Sequence, residues 1–120
     1  MEQISIGCDI EENSRFEGKT LEKDSNFLNK IFTKKELEYC YKNKIFAPHL
    51  CARFCAKEAI VKALGNMDIN NIYYSDIEIL NKSNGAPYAS IEKINNIDVK
   101  LSMSHSKNYS VANVILIKKG

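Results

Sequence analysis

Apolar and polar residues alternate along much of the chain with a period of two, the pattern of strands that have one buried face. Four segments show it: residues 3–10, 75–81, 87–92 and 97–104. The polar face of the first places Asp9 beside Gly7, where the missing side chain allows close approach. Taken alone, this position favours a solvent-facing Asp near a strand end over a functional one. A fifth segment, residues 109–117, is apolar on both faces, which predicts a central or interface strand.

Residues 51–65 have helical spacing, but two opposite sides of the predicted helix are apolar. One side carries large residues, the other carries alanines, and the charges lie in the two seams between them. The large residues are Leu50, Phe54, Ile60, Val61 and Leu64, the alanines are Ala52, Ala56, Ala59 and Ala63, and the charges are Arg53 with Lys57 and Glu58 with Lys62. This pattern predicts a helix that packs once within the chain and once against a partner. As a plain pair one turn apart, Glu58 and Lys62 would contribute only roughly 0.2–0.5 kcal/mol.

The ends of this helix and two shorter helices are also predicted. Gly65 is expected to end the central helix in a left-handed conformation, and Pro48 to break the chain before it. Residues 25–32 have helical spacing, and Thr33 with Glu36 forms the capping-box pattern of a helix over residues 34–42. Residues 11–24 have no clear period, and their mixed charges are typical of a solvated face. At 120 residues, we expect one α+β domain over 1–120.

Composition excludes several classes of protein. No segment approaches the roughly 20 apolar residues that a membrane span needs, and no secretory signal is visible at the N-terminus. The net charge of +2 is too small to indicate nucleic-acid binding. The four cysteines, Cys8, Cys40, Cys51 and Cys55, form no C-x-x-C pair and are accompanied by only two histidines. We therefore expect buried or partly buried free thiols in a reducing, cytoplasmic compartment, rather than a zinc site.

Two carboxylates from distant predicted elements, Asp9 and Glu58, are candidate metal ligands. Candidate ligands for an anion are Arg53, Lys57, Lys62 and His105. His105 lies in the connection 104–108, which is equally typical of a functional corner and of a surface hairpin turn. Mg²⁺ prefers carboxylate and phosphate oxygens, usually with one or two protein carboxylates. Since the chain has no P-loop and no G-x-G-x-x-G, side chains and a divalent ion would have to hold a nucleotide-like phosphate.

Four motifs along the chain together resemble those of one family. They are IGCDI at residues 6–10, RFCAKEA and KALG within residues 53–65, NGAP at residues 84–87 and SMSHS at residues 102–106. They are similar, in the same order, to the I-G-x-D-I/V, R-F-x-A-K-E-A-x-x-K-A-x-G, G-x-P and S-x-S-H-S/T motifs of holo-[acyl-carrier-protein] synthases, the small 4′-phosphopantetheinyl transferases. The resemblance covers nearly the whole chain. Departures from it are Cys8, Cys51 and Cys55, at positions where aliphatic or small residues are expected.

The resemblance implies a 4′-phosphopantetheinyl transferase-like fold, with an antiparallel sheet packed on a long central helix, and a homotrimeric assembly. It implies Mg²⁺-dependent transfer of 4′-phosphopantetheine from coenzyme A to a serine of apo acyl carrier protein, in fatty acid biosynthesis. The products would be holo acyl carrier protein and adenosine 3′,5′-bisphosphate.

The resemblance also assigns roles to individual residues. The implied metal ligands are Asp9 and Glu58, the catalytic residues Glu58, Lys62 and His105, and the coenzyme-lining residues Arg53, Lys62, Gly65, Gly85, Pro87 and His105. Lys62 would lie at the pyrophosphate and His105 at the nucleotide and reaction end. The serine proton could go to a metal-bound water, to Glu58 or to His105.

Partners follow from the same resemblance. Basic residues near the first helix would dock the acidic carrier protein, with Arg15 at the matching position and Lys19 and Lys23 as further candidates. Sites between the subunits of a trimer would explain the two-sided helix and the doubly apolar last strand. Neither a membrane nor a nucleic acid is expected as a partner.

Three other activities fit parts of the pattern. A Mg²⁺-dependent nucleotide phosphohydrolase could use the same carboxylates and would release phosphate without a carrier protein. An inactive trimeric module could bind coenzyme A or a carrier protein, although it need not retain Asp9, Glu58 and Lys62 together. A small nucleic-acid binder agrees least with the charge and with aromatic residues spaced as core residues.

Overall fold

The computed structural model describes residues 2–120, and its secondary structure follows the sequence pattern. These residues form five strands and three helices: β1 (Gln3–Glu12), α1 (Leu21–Ile31), α2 (Lys34–Tyr41), α3 (Ala47–Gly65), β2 (Ile77–Asn81), β3 (Pro87–Ile91), β4 (Ile97–His105) and β5 (Tyr109–Lys118). Two short 3₁₀ helices cover Asn13–Phe16 and Tyr74–Asp76. The predicted α+β class and each predicted strand and helix are confirmed, with shifts of a few residues at their ends.

The two ends of the chain meet in one antiparallel sheet with the strand order β1-β5-β4. β5 is therefore the central strand, as its two apolar faces predict. The register places Asp9 opposite Ala112 and His105 opposite Ser110. β2 and β3 form a separate two-stranded hairpin, whose turn contains Gly85 at a φ of 89°.

The polar face of β1 is the one that packs inside the chain. Ser5 and Asp9 on this face are buried, whereas Ile6 on the opposite face is 70% exposed. Ile4 and Ile10 are exposed in the same way. The alternation alone correctly predicts a half-buried strand, but it does not indicate that the isoleucine face lies outward.

Gly7 explains why the polar face of β1 lies inward. A Cβ atom at this position would lie 2.0 Å from the carbonyl oxygen of Ala59 in α3, a distance that real Cβ atoms do not show. Nearby, the Ser5 hydroxyl donates a hydrogen bond of 2.7 Å to the Ala63 carbonyl. Small residues on both elements thus let the sheet and the helix approach closely, which confirms the predicted role of Gly7.

α3 packs on both of its apolar sides within the chain, so the prediction that one side faces a partner is wrong. Its alanine side lies on the sheet, and its large side packs into the core, where the ring of Phe54 lies 5.7 Å from that of Phe16. The helix also begins at Ala47, earlier than predicted, because a proline fits the first turn, where no helical N–H bond is lost. Gly65 stays helical instead of adopting a left-handed conformation, and Asn66 caps the helix.

Residues 11–24 contain core positions, which corrects their interpretation as a solvated segment. Asn13 and Phe16 are buried in the first 3₁₀ helix, and Phe16 packs against several aromatic rings. The next helix begins at Leu21, where the Thr20 side chain accepts a hydrogen bond from the Lys23 N–H. Its backbone is non-helical at Asp24 (φ −114°, ψ 21°), so the predicted segment 25–32 corresponds to the part after this kink. The predicted capping box of Thr33 and Glu36 is confirmed.

Lys57 is part of the core, so it cannot act as the anion ligand suggested by the sequence. Its side chain is 0% exposed, and its Nζ atom lies 2.6 Å from a carboxylate oxygen of Glu36. The same Nζ donates hydrogen bonds to three backbone carbonyls, those of Ile31, Tyr74 and Ile77. Burial lowers the pKa of Lys57, and the Glu36 carboxylate opposes this effect. Lys57 therefore links α3 to four other elements: α1, α2, the second 3₁₀ helix and β2.

The outer face of the β1-β5 pair carries exposed apolar side chains. Cross-strand pairs on this face are Ile4 with Ile117, Ile6 with Ile115 and Ile10 with Val111.

Cys8 lies on this outer face and is exposed, contrary to the expectation of a buried or partly buried thiol. Cys40, Cys51 and Cys55 are buried as free thiols. Across residues 2–120, no helix has both the length and the apolar character that crossing a membrane requires.

Candidate functional site

Three carboxylates converge where β1 crosses α3. Asp9 and Glu11 lie two residues apart on the inner face of β1, and Glu58 reaches them from α3. One carboxylate oxygen from each lies within 4.8 Å of the others. Asp9 is 8% exposed, and its Oδ2 atom is buried without a hydrogen-bond partner. We call Asp9, Glu11 and Glu58 the carboxylate cluster.

The carboxylate cluster has the chemistry of a divalent-cation site. Buried carboxylate oxygens are normally paired, because burying an uncompensated charge is costly. An unpaired Asp9 oxygen beside two further carboxylates is therefore suited to a hard cation, which prefers oxygen ligands. Sequence reasoning brought Asp9 and Glu58 together correctly but missed Glu11. Extending the alternation of β1 by two residues would have found it.

Lys62 supplies a positive charge at the edge of the carboxylate cluster. Its Nζ atom lies 3.0 Å from Oδ1 of Asp9 and 3.3 Å from the Cys8 carbonyl. The hydrogen bond to Asp9 raises the pKa of Lys62. Lys62 thus pairs with a carboxylate on the strand, and not with Glu58 as the helical spacing allowed. Because this side chain is largely exposed, it remains free to meet an incoming anion.

Tyr74 and Arg15 contact the other two carboxylates. The Tyr74 hydroxyl donates a hydrogen bond to Oε1 of Glu58, and burial together with Glu58 raises the pKa of Tyr74 to about 12. The Arg15 guanidinium lies 3.1 Å from Glu11, while burial and the Asp9 carboxylate raise the pKa of Glu11. Nothing in the sequence pattern indicates Tyr74, because it lies outside the predicted helices and strands.

A second group of predicted site residues lies on the other side of α3. At about 100° per residue, Arg53 lies roughly 180° around the helix from Lys62. Its Nη2 atom donates a 2.6 Å hydrogen bond to Asn81, whose side chain in turn bonds the Gly85 carbonyl at 2.9 Å. Pro87 follows as the first residue of β3. The structure therefore brings Arg53 together with the predicted turn, but away from the carboxylate cluster.

His105 belongs to this second group through His49. The ring centres of His49 and His105 are 5.8 Å apart, and His49 also packs against Tyr39. The Arg53 guanidinium lies 4.4 Å from the centre of the Tyr39 ring. Burial lowers the pKa of His49, with smaller contributions from Arg53 and His105. Sequence reasoning missed His49, for which spacing gives no signal.

The remaining predicted residues are more dispersed. Gly65 is exposed at the end of α3. Arg15 lies over the Phe54 ring at 4.6 Å, close to the carboxylate cluster. Lys19 lies 5.2 Å from the centre of the Phe27 ring, and Lys23 is exposed in the first turn of α1. Arg15 is thus the docking candidate in contact with a member of the carboxylate cluster.

Comparison with known proteins decides the family. The model of the 4′-phosphopantetheinyl transferase superfamily matches residues 5–114. This chain belongs to the 4′-phosphopantetheinyl transferase superfamily. Within the superfamily, it is similar to the holo-[acyl-carrier-protein] synthase of Protochlamydia amoebophila, with 41% identity over 91% of this chain and 93% of the relative. The corresponding protein of a Thermoanaerobacter species is 37% identical over 96% of this chain and 88% of its own length.

A solved structure of the same superfamily agrees with the fold. The holo-(acyl-carrier-protein) synthase of Bacillus anthracis, described as a complex with CoA (3′,5′-ADP), is 31% identical and superposes with a TM-score of 0.80. The match covers 96% of each chain. The predicted resemblance is therefore confirmed, and the chain is a phosphopantetheinyl transferase of the holo-[acyl-carrier-protein] synthase type.

Proposed function

We propose that this protein, as a single domain, transfers 4′-phosphopantetheine from coenzyme A to a serine of an apo acyl carrier protein in fatty acid biosynthesis. The observation that carries the proposal is the carboxylate cluster with Lys62 at its edge, in a chain of this family. The relative described with CoA (3′,5′-ADP) supports coenzyme A as the donor. Holo acyl carrier protein and adenosine 3′,5′-bisphosphate would be the products.

The carboxylate cluster fits Mg²⁺. Asp9 and Glu58 are the proposed ligands, and Glu11 is a third oxygen donor within reach. The unpaired buried oxygen of Asp9 supports this assignment, because a cation would supply the missing partner. When bound, the ion would neutralise phosphate oxygens and stabilise the charge that develops on the nonbridging and leaving oxygens.

The side chains of this protein would then orient the donor. In the proposed reaction the serine oxygen attacks the β-phosphorus of coenzyme A, and the bond from that phosphorus to the bridging oxygen breaks. Adenosine 3′,5′-bisphosphate leaves with the bridging oxygen, and the serine proton passes to a base, for which Glu58, His105 and water are the candidates. Lys62 would hold the pyrophosphate, because its ammonium group is exposed and already lies beside the carboxylates. His105, with the turn at Gly85 and Pro87, would hold the nucleotide end. Arg53 is 3% exposed, so we propose that it supports that turn through Asn81.

Two chains would be needed to complete this site. Lys62 and Arg53 lie on opposite sides of α3, so one chain alone does not place both against the same small molecule. The exposed isoleucines of β1 and β5 supply an apolar face suited to a second copy of the chain. We propose a homotrimer with a site at each subunit interface, in the cytoplasm.

The assembly has a direct test. Ile6→Glu places a charge in the centre of the exposed apolar face, so sedimentation at micromolar concentration should show a shift from trimer to monomer. Lys34→Glu on α2 is the matched control and should remain trimeric. A stable monomer of the unmodified protein at this concentration would contradict the proposed assembly.

The transfer reaction is tested by intact-mass spectrometry. Apo acyl carrier protein incubated with this protein, coenzyme A and Mg²⁺ should gain the mass of one phosphopantetheine group. A nucleotide phosphohydrolase would release phosphate and leave the carrier mass unchanged, and a binding module would do neither. An unchanged carrier protein would therefore reject the proposal.

Arg15 is proposed to dock the acidic carrier protein. Arg15→Gln should raise the KM for the carrier protein about two- to fivefold, the effect expected of one exposed charge pair, and leave the KM for coenzyme A nearly unchanged. The effect should shrink as salt concentration rises. Steady-state kinetics with each substrate varied in turn, beside a Lys34→Gln control, measures both constants. An equal rise in both KM values would show that Arg15 contributes to the coenzyme site or to the stability of the fold instead.

A further inference from the structure

Glu58 needs an external constraint to act as a ligand. It lies on a partly exposed part of α3, and a glutamate side chain there has several rotamers of similar energy. In the structure its carboxylate is held by a hydrogen bond from the Tyr74 hydroxyl. Tyr74 lies in the connection between α3 and β2, so this contact joins that connection to the helix.

Tyr74 itself is held at two points besides its hydroxyl. Its ring packs edge-on against Phe54, with ring centres 5.6 Å apart. Its backbone carbonyl accepts a 2.9 Å hydrogen bond from the buried Nζ of Lys57. Lys57 is fixed in turn by Glu36 in the core. The Tyr74 hydroxyl therefore has a well-defined position from which to hold Glu58.

We propose that Tyr74 is a positioning residue, whose hydroxyl holds the Glu58 carboxylate beside Asp9 and Glu11 for a divalent cation. The proposal rests on the metal site of the proposed function and adds a residue that acts through Glu58. A side chain that orients a metal ligand lowers the cost of ordering that ligand when the ion binds. Loss of such a partner typically weakens metal affinity about 10–100-fold.

Tyr74→Phe tests the proposal, because it removes the hydroxyl and keeps the ring that packs on Phe54. Isothermal titration with Mg²⁺ should show affinity weaker by roughly tenfold. The melting temperature of the metal-free protein should stay near that of the parent. Tyr73→Phe is the matched control: Tyr73 is largely exposed, and its hydrogen bond to Asp76 comes from its backbone N–H, which the substitution keeps. The Tyr73→Phe variant should bind Mg²⁺ with the same affinity as the parent protein.

Kinetics give a second readout that a purely structural role would not move. The Mg²⁺ concentration for half-maximal transfer should rise by the same factor as the dissociation constant, while the rate at saturating Mg²⁺ changes little. In a Glu58→Gln background, Tyr74→Phe should cause little additional loss of Mg²⁺ affinity, because the two residues act through one ligand.

The outcomes separate this inference from the proposed function. If the parent binds Mg²⁺ and Tyr74→Phe binds it equally well, the positioning role is overturned while the metal site stands. Fully additive losses in the Glu58→Gln background also overturn it. If the parent binds no Mg²⁺, both the metal site and the role of Tyr74 are rejected.

Discussion

Asp9→Ala and Glu58→Ala should each remove most bound Mg²⁺ and reduce transfer by roughly a hundredfold or more, since loss of residues that merely support a ligand already costs up to that factor. Both side chains contribute oxygens to the carboxylate cluster, so the ion would lose a ligand in either variant. The double variant should be little worse than either single one, because ligands of one ion act as a unit.

Folding should survive these changes. Removing a carboxylate from a cluster of three relieves repulsion when no cation is bound. The ion pair that Asp9→Ala loses is with a largely exposed lysine, so its contribution to stability is small. Melting curves should therefore stay near the parent curve while activity falls.

Transfer rate against Mg²⁺ concentration, measured beside thermal melts, checks this prediction. Glu12→Ala is the matched control, because Glu12 is an exposed carboxylate on the other face of the same strand. It should leave metal binding and transfer unchanged. Fully multiplicative losses in the double variant, or near-normal turnover in Glu58→Ala, would reject a shared ion.

Lys57→Met should lower the free energy of unfolding by about 3–5 kcal/mol, the cost typical of breaking a buried ion pair by removing one partner. The change leaves the Glu36 carboxylate buried without its cation and three carbonyls without their donor. Since native domains are stable by only about 5–15 kcal/mol, a loss of this size would remove a substantial fraction of the stability.

Urea unfolding of the two proteins measures the difference. Lys35→Met, on the exposed side of α2, is the control and should change the free energy by less than about 0.5 kcal/mol. A loss as small as that of the control would show that Lys57 is solvated in solution and that its core position is wrong.

Local patterns in the sequence predict the elements well, because period and caps depend on near neighbours. The alternation of β4 and the capping box of Thr33 with Glu36 are examples. The buried face of β1 was not predictable in this way, since it depends on a backbone contact between Gly7 and Ala59, which are distant in sequence.

The sequence predicts those residues of the candidate site that lie within contiguous motifs. Asp9, Glu58 and Lys62 were expected together and are together. Lys57 was misassigned because a helix buried on nearly all sides gives no periodic signal to separate a core lysine from a site lysine. The Tyr74 contact with Glu58 joins residues 16 positions apart through a non-helical connection, so no spacing rule applies.

The contact at Gly7 has a consequence for how this protein tolerates change. The distance between the strand that carries Asp9 and the helix that carries Glu58 is limited by two backbones in contact, not by the volumes of side chains between them. Conservative substitutions elsewhere in the core, such as Leu28 or Leu50 to another aliphatic residue, should alter stability without altering the spacing of the carboxylate cluster. Substitutions in the core and the spacing of the carboxylate cluster are thereby separated, and the interior of this protein can change while the geometry around Asp9 persists.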